Sequence, residues 1–296
     1  MNTAPRRVEN QLTDKGYVPV YTTAVVNQPW DGYSSDDHAT WGTLYRRQRE
    51  LLVGRACDEF LQAQDAMGMD DRQIPRFDAL NAVLQAATGW TLVGVEGLLP
   101  ELDFFDHLAN KRFPVTWWIR RPEQIDYIAE PDLFHDLFGH VPLLMNPLFA
   151  DFMQAYGRGG VKAHGIGADA LQNLTRLYWY TVEFGLIKTA QGLQIYGAGI
   201  VSSKGESLYS LESAAPNRIG FDLQRIMRTR YRIDSFQKTY FVIDSFAQLM
   251  DATAPDFTPI YADLAQQAQV PAGDVLASDL AFQRGTGEGW SRDGDV

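Results

Sequence analysis

The sequence predicts a mainly α fold with small β elements, gathered in a single domain. Three observations lead there. Apolar residues recur at helical spacing along most of the 296 residues, strand-like runs are few, short and scattered, and no break in composition divides the chain. A chain that is 45% hydrophobic has enough apolar surface for a sizeable core.

The elements follow in order. Residues 1–39 are polar and turn-rich ("NQPWDGYSSDDH") and read as an extended lead-in to a domain spanning 40–282. Between about Thr40 and Gln64, Leu44, Leu51, Leu52, Ala56 and Phe60 recur near the 3.6-residue period, which predicts a helix. A second helix is predicted over Arg76–Thr88, stopped by Gly89. "WTLVGV" (90–95) has β propensity, "PELDFFDHLAN" (100–110) reads as helix, and "RFPVTWWIR" (112–120) reads as strand. Helices are expected near 131–138, 147–156, 169–189 and 202–213, then over Phe221–Tyr231 and from about Ser245. The Gly-rich "GRGGVKAHGIG" (157–167) lacks the Gly-Lys-Ser/Thr ending of a phosphate loop, so it reads as a mobile connector or lid. Residues 283–296, polar and Gly-rich, read as a disordered tail.

Composition narrows the function classes. With 26 basic and 37 acidic residues the net charge is −11, which argues against nucleic acid or an anionic membrane as partner. The one cysteine, Cys57, permits no intrachain disulfide and reads as an inert buried thiol in a helix. No signal-peptide core and no run of membrane-spanning length occurs, so a cytoplasmic location is expected.

Chemistry concentrates at "LFHDLFGHVP" (133–142). His135 and His140 stand five residues apart, and in a regular α-helix that offset turns the second ring about 140° away from the first. Gly139 and Pro142 are the pattern of a helix that stops, which would let the chain bend His140 back toward His135. Taken alone, the pair reads equally as metal ligands or as core and capping histidines.

A third residue shifts that balance. "NLTRLYWYTVEFGLIKTA" is strongly apolar and holds one acid, Glu183, whose helical neighbours are Trp179, Tyr180, Leu186 and Ile187. A carboxylate buried there needs compensation, either from a cation or from Arg176 two turns back. Two imidazoles and one carboxylate form a set that suits non-haem Fe(II) with open positions, and also catalytic zinc. The zinc-protease pattern requires a Glu beside the first His and the second His at i+4; Asp136 and a spacing of five make iron the better match.

Three blocks, "EPDLFHDLFGHVPLL", "YWYTVEFGL" and "YGAGIVSSKGE", resemble the pterin-dependent aromatic amino acid hydroxylases. The resemblance runs from about Thr40 to Ala252 and takes in "TWGTLYRRQREL" and "FFDHLANKRFPVTWWIR". It implies the single catalytic domain of that family, with Fe(II) held by His135, His140 and Glu183. It further implies that a tetrahydropterin supplies electrons, that O2 is split, and that an aromatic ring is hydroxylated. Within the family the short bacterial form implies L-phenylalanine as substrate, with tyrosine or tryptophan, or a non-catalytic metal-binding amino acid sensor, as the competing readings.

The same resemblance assigns further residues. Arg120 would clamp the amino acid carboxylate and Asp132 would orient it. Trp179 would pack on the substrate ring, and Tyr178 would reach the metal's water shell. Phe104 would stack on the pterin, whose edge would bond to the backbone of Gly97, Leu98 and Leu99, with Asp136 also in contact with it. Ser202 would orient a ligand histidine and Ser203 would share the substrate side; from the residues alone Ser203 reads as the cap of the following helix and Glu206 equally as its capping-box partner, with its function left open. Asp136, Ile128 and Pro114 depart from the animal members, but none is an implied ligand. His38 and His164 read as solvated, and His107 as a helix-surface or pocket-wall residue. No tetramerising heptad repeat is seen, so a monomer is expected.

Overall fold

A computed structural model describes residues 20–290, together with the backbone of 11–13 and 16–18. The chain divides into two compact units, residues 1–50 with 59–158, and residues 51–58 with 159–296.

In the first unit, β1 (Gln11–Thr13) and β2 (Gly16–Val18) pair antiparallel, and β3 (Val25–Val26) follows. The lead-in therefore carries short strands where an extended segment is expected, although residues 1–10, 14, 15 and 19 lie outside the described set. The helix predicted over 40–64 is two helices, α1 (Ser35–Leu52) and α2 (Asp58–Ala66). Between them the chain turns at Gly54, whose φ of 73° is the left-handed conformation that ends a helix cheaply only at glycine. Cys57 lies in this break, fully buried, rather than in a helix. Its N–H donates to the Ile195 carbonyl at 3.0 Å.

α3 (Phe77–Ala87) buries Phe77, Leu80 and Leu84, one helical face. From its polar side Asn81 accepts from the Leu92 N–H at 2.6 Å and donates to the Leu92 carbonyl at 3.3 Å, fixing β4 (Thr91–Val95). α4 (Glu101–Ala109) then carries the chain across to β5 (Arg112–Thr116), which pairs parallel with β4 while β3 pairs antiparallel on the other side. A parallel pair requires such a crossover, and it brings the C-terminal ends of both strands to one edge. Segments 96–100 and 117–120 leave from that edge, so the strand expected over 112–120 is shorter than its sequence signal.

α5 (Pro147–Ile166) continues straight through the Gly-rich stretch read as a connector. Packing explains why. A Cβ on Gly157 would lie 2.3 Å from the Ala109 nitrogen and 2.6 Å from the Leu108 Cβ, so glycine is what lets α5 cross the end of α4. Gln154 reinforces the crossing with a 3.0 Å bond to the Ala109 carbonyl.

In the second unit, α6 (Ala168–Tyr178) leads into a π-helix at Trp179–Glu183 and then into β6 (Leu186–Thr189), which hairpins to β7 (Gly192–Ile195). The single helix predicted over 169–189 thus ends at Glu183. Leu186 and Ile187 are buried because β6 is an inner strand, paired on both edges; period alone does not separate so short an apolar run from a buried helix. α7 (Ala198–Val201) and α8 (Lys204–Glu212) precede β8 (Asn217–Gly220), α9 (Leu223–Met227) and β9 (Thr239–Ile243), whose five residues are all buried. α10 (Phe246–Thr253), α11 (Thr258–Leu264) and β10 (Ala281–Gln283) complete a five-stranded sheet of order β10-β8-β9-β6-β7 with its helices.

Residues 283–290, read as the start of a disordered tail, are held by specific bonds. The Gly285 N–H donates to the Asn217 side chain at 2.8 Å, and the Trp290 indole to the Tyr209 hydroxyl at 3.3 Å. Residues 291–296 lie outside the described set. Among the described residues no helix is long and apolar enough to cross a membrane.

Candidate active site

The two histidines lie on a π-helix, His135–His140, and not at the stopped end of an α-helix. Gly139 does not terminate it. The winding widens, and the chain continues into a 3-10 turn at Pro142–Met145. Pro142 has no N–H to give the Phe138 carbonyl, so the α-type ladder is interrupted here. In a π-helix residue i bonds to i+5, which returns the fifth residue to the same face. The spacing of five is therefore the one that brings the two rings together on one face.

His135 Nε2 and His140 Nε2 are 3.1 Å apart, with the ring planes at 86°. Two nitrogens each about 2.0–2.1 Å from one cation and at right angles to each other would be about 3 Å apart. The separation of the two nitrogens thus fits a metal, and a carboxylate oxygen of Asp136 lies within 4.8 Å of a ring nitrogen of each histidine.

Asp136 is buried and accepts the Thr116 N–H at 2.7 Å, tying the π-helix to the end of β5. Burial lifts its carboxyl to about 7, against the pull of His140 and of the Thr116 bonds. Its proximity to both histidine rings is a feature the sequence alone does not reveal. The only signal was the acid directly after the first histidine.

Asp132 serves two neighbours. Its carboxylate accepts from Arg120 Nε at 2.9 Å, Nη2 at 2.9 Å and the Arg120 backbone N–H at 2.8 Å, and from the His135 N–H at 3.1 Å. These bonds fix the Arg120 guanidinium against Asp132. Burial raises the carboxyl, but the adjacent guanidinium and these hydrogen bonds outweigh it and hold it below the usual carboxylate range. Both side chains are buried, at 7% and 0% exposure.

The segment after β4 carries Gly97 and Leu99, both buried, and Leu98. The Leu98 carbonyl accepts from the Thr22 N–H at 2.8 Å, which uses one of its two lone pairs. Phe104 sits half-buried on α4 against Phe105, with centroids 6.0 Å apart. His107, on the same helix, accepts from Arg112 Nε at 3.0 Å. Its protonation is disfavoured first by burial and then by that guanidinium. His38 is not solvated as expected: it accepts the Ile74 N–H at 3.1 Å and packs against Trp30 and Tyr33. His164 is exposed.

In the second unit Glu183 closes the other π-helix. The Phe184 N–H bonds to the Trp179 carbonyl at 2.9 Å, an i+5 bond. The Thr181 hydroxyl donates to the Leu177 carbonyl, competing with the α-type bond and opening the turn. Glu183 is half-buried, and Arg176 is not its ion-pair partner; the Arg176 guanidinium makes 3.4 and 3.5 Å contacts with Asn173 and the Met227 carbonyl.

The "GAG" of 197–199 packs onto Glu183. A Cβ on Gly197 would lie 2.5 Å from the Glu183 carbonyl, and one on Gly199 would lie 3.2 Å from Glu183 Oε2. Those glycines were not singled out by sequence reasoning, although they stand in the quoted block.

Tyr178 ends α6, half-buried. Trp179 is half-buried, stacked on Tyr231 at 4.4 Å and 24°, tilted to Phe184 at 4.7 Å, and its indole N–H donates to Gln237 Oε1 at 2.9 Å. Ser202 donates to the Ala198 carbonyl at 2.7 Å, and Ser203 caps α8 by accepting the Glu206 N–H at 3.3 Å. The capping box is not reciprocated: the Glu206 carboxylate turns instead to Gln237 and Tyr240.

Comparison with known proteins agrees with this chemistry. Residues 25–259 match the family model of biopterin-dependent aromatic amino acid hydroxylases. The chain is 63% identical over 269 residues to the phenylalanine-4-hydroxylase of Chromobacterium violaceum, covering 91% of this chain and 90% of that one. It is likewise 63% identical over 271 residues to that of Ralstonia nicotianae, covering 92% and 86%. The iron- and phenylalanine-bound crystal structure of the Chromobacterium violaceum protein superposes with a TM-score of 0.84 at 61% identity, covering 88% of this chain and 96% of that one. With the histidine pair, the acid that closes the second π-helix and a match over most of its length, this chain belongs to the biopterin-dependent aromatic amino acid hydroxylases.

Proposed function

We propose that the protein is a phenylalanine 4-monooxygenase, converting L-phenylalanine to L-tyrosine with O2 and a tetrahydropterin at a non-haem Fe(II). The observation that carries this is the 3.1 Å separation of the His135 and His140 Nε2 atoms on a π-helix. The substrate follows from relatives at 63% identity named phenylalanine-4-hydroxylase, and from one such protein crystallised with iron and phenylalanine.

His135, His140 and Glu183 would hold the metal; bound there, Fe(II) together with the pterin would supply electrons and activate O2. Asp132 occupies the Nε–Nη2 edge of Arg120, which leaves the Nη1–Nη2 edge for a bidentate bond to the substrate carboxylate. Trp179 is assigned to the substrate ring, Tyr178 to the metal's water shell, Ser202 to a ligand histidine and Ser203 to the substrate side. Phe104 with Gly97, Leu98, Leu99 and Asp136 is assigned to the pterin. Phe113 packs on the His140 ring at 5.1 Å, and Leu133, Phe134, Leu137 and Phe138 of the same segment are fully buried, so the histidines rise from an apolar core. A monomer in the cytoplasm is part of the same proposal, supported by the net charge of −11 and the single buried cysteine.

The test is turnover of Fe(II)-loaded protein with tetrahydropterin, O2 and, separately, phenylalanine, tyrosine and tryptophan. Tyrosine formation from phenylalanine is expected to be fastest. No turnover with iron, together with peptide or ester cleavage on zinc loading, would contradict the proposal.

A further inference from the structure

Glu206 is 5% exposed, carries a carboxylate, and has no part in the chemistry assigned above. Its position at the start of α8 suits a capping box, yet the side chain turns away from Ser203. It accepts the Gln237 N–H at 3.2 Å and the Tyr240 hydroxyl. A buried carboxylate opposes folding unless its bonds accomplish something, and these bonds fix the backbone of Gln237.

Gln237, 2% exposed, is bound at every polar end. Its Nε2 donates to the Arg232 carbonyl at 2.9 Å and the Ser235 carbonyl at 3.4 Å. Its Oε1 accepts the Trp179 indole N–H at 2.9 Å. An indole N–H only donates and a carbonyl only accepts, so rotating the amide by half a turn would oppose donor to donor and acceptor to acceptor. The amide therefore has one workable orientation, and it aims its oxygen at Trp179. Stacking on Tyr231 sets the plane of the indole, and this bond sets its rotation within that plane.

We propose that Glu206, acting through Gln237, is a positioning residue for the Trp179 indole and, through it, for the ring of the aromatic substrate. The proposal rests on the reading of Trp179 as the substrate-ring contact. It concerns the second unit alone, and its main readout needs no metal.

The experiment observes indole N–H resonances of the metal-free protein labelled with 15N-tryptophan. Trp179 is identified by the peak lost in Trp179→Phe. In the unsubstituted protein this N–H is expected to exchange slowly with solvent; fast exchange overturns the proposal without any further variant. Gln237→Leu and Glu206→Leu are expected to move the peak, and Glu206→Gln, which keeps an acceptor for both donors, to restore it.

With iron and pterin added, KM for phenylalanine is expected to rise about five-fold in Glu206→Leu, the size of one lost neutral hydrogen bond, with kcat changed less. Glu206→Gln should return KM to the unsubstituted value. An unmoved peak in folded Glu206→Leu and Gln237→Leu overturns the proposal. A moved peak with unchanged KM also overturns it, and Trp179→Ala then separates two failures. If that variant raises KM, the link from Glu206 to substrate is wrong; if it does not, the assignment of Trp179 is wrong as well.

Discussion

His135 Nε2 and His140 Nε2 stand 3.1 Å apart because a π-helix returns every fifth residue to the same face. The pairing follows from the winding of the backbone, so replacing one ring should not disturb the fold. His135→Ala or His140→Ala should leave secondary structure unchanged by circular dichroism. Either should weaken Fe(II) binding, measured by titration of the metal-free protein, by more than the 10–100-fold typical of losing a group that only supports a ligand.

Arg120 and Asp132 form a buried ion pair, and removing one partner strands the other. Asp132→Ala should cost about 3–5 kcal/mol in denaturant unfolding. Arg120→Lys keeps the charge but loses the planar fork. Its KM for phenylalanine should rise more than its kcat falls, as steady-state kinetics would record.

Gly157 and Gly159 lie two residues apart on α5 in different surroundings. A Cβ at 157 meets α4 backbone at 2.3 Å, whereas at 159 the nearest atom is the Leu174 Cδ2 at 4.0 Å. Gly159→Ala should therefore stabilise the protein by about 0.5–1 kcal/mol, the ordinary helix-interior gain. Gly157→Ala should destabilise it. Equal effects in thermal unfolding would mean that the stretch is the connector its composition suggests.

Glu206 and Asp132 titrate in opposite senses. Burial raises the Glu206 carboxyl from 4.5 to about 7, against the Tyr240 and Gln237 bonds that lower it. A raised acid costs nothing below its unfolded value and destabilises increasingly as pH climbs from about 4.5 to 7, by about 3 kcal/mol once fully ionised. Glu206→Gln should thus gain stability relative to the unsubstituted protein across that window, with little difference at pH 4. Asp132 is held low, so its contribution is present above the unfolded carboxylate range and lost as pH falls through the folded value. Replacing it should matter most near neutrality.

Much of this was legible in the sequence. The helices at 76–88 and 100–110 matched because Phe77, Leu80 and Leu84 keep a helical period and Gly89 marks a stop. The histidine pair, Glu183, and Asp132 with Arg120 stood in recognisable blocks. What sequence did not reveal was geometry that depends on departures from regularity. Gly139 and Pro142 read as a helix end, whereas the chain widens there and continues. β6 read as helix because an inner strand is as apolar as a buried helix. Gly157 read as a loop residue because its reason, the Ala109 backbone, lies 48 positions back in the chain. Glu206 read as a cap because its partners, Gln237 and Tyr240, lie 31 and 34 positions on.

The proposed function assigns Glu183 to the metal together with His135 and His140, and the most direct test of that assignment is Fe(II) affinity of Glu183→Gln against the unsubstituted protein. Gln keeps the shape and removes the charge. Affinity should fall sharply, with activity lost at iron concentrations that saturate the parent. Unchanged affinity and turnover would contradict the account and make Glu183 a structural carboxylate.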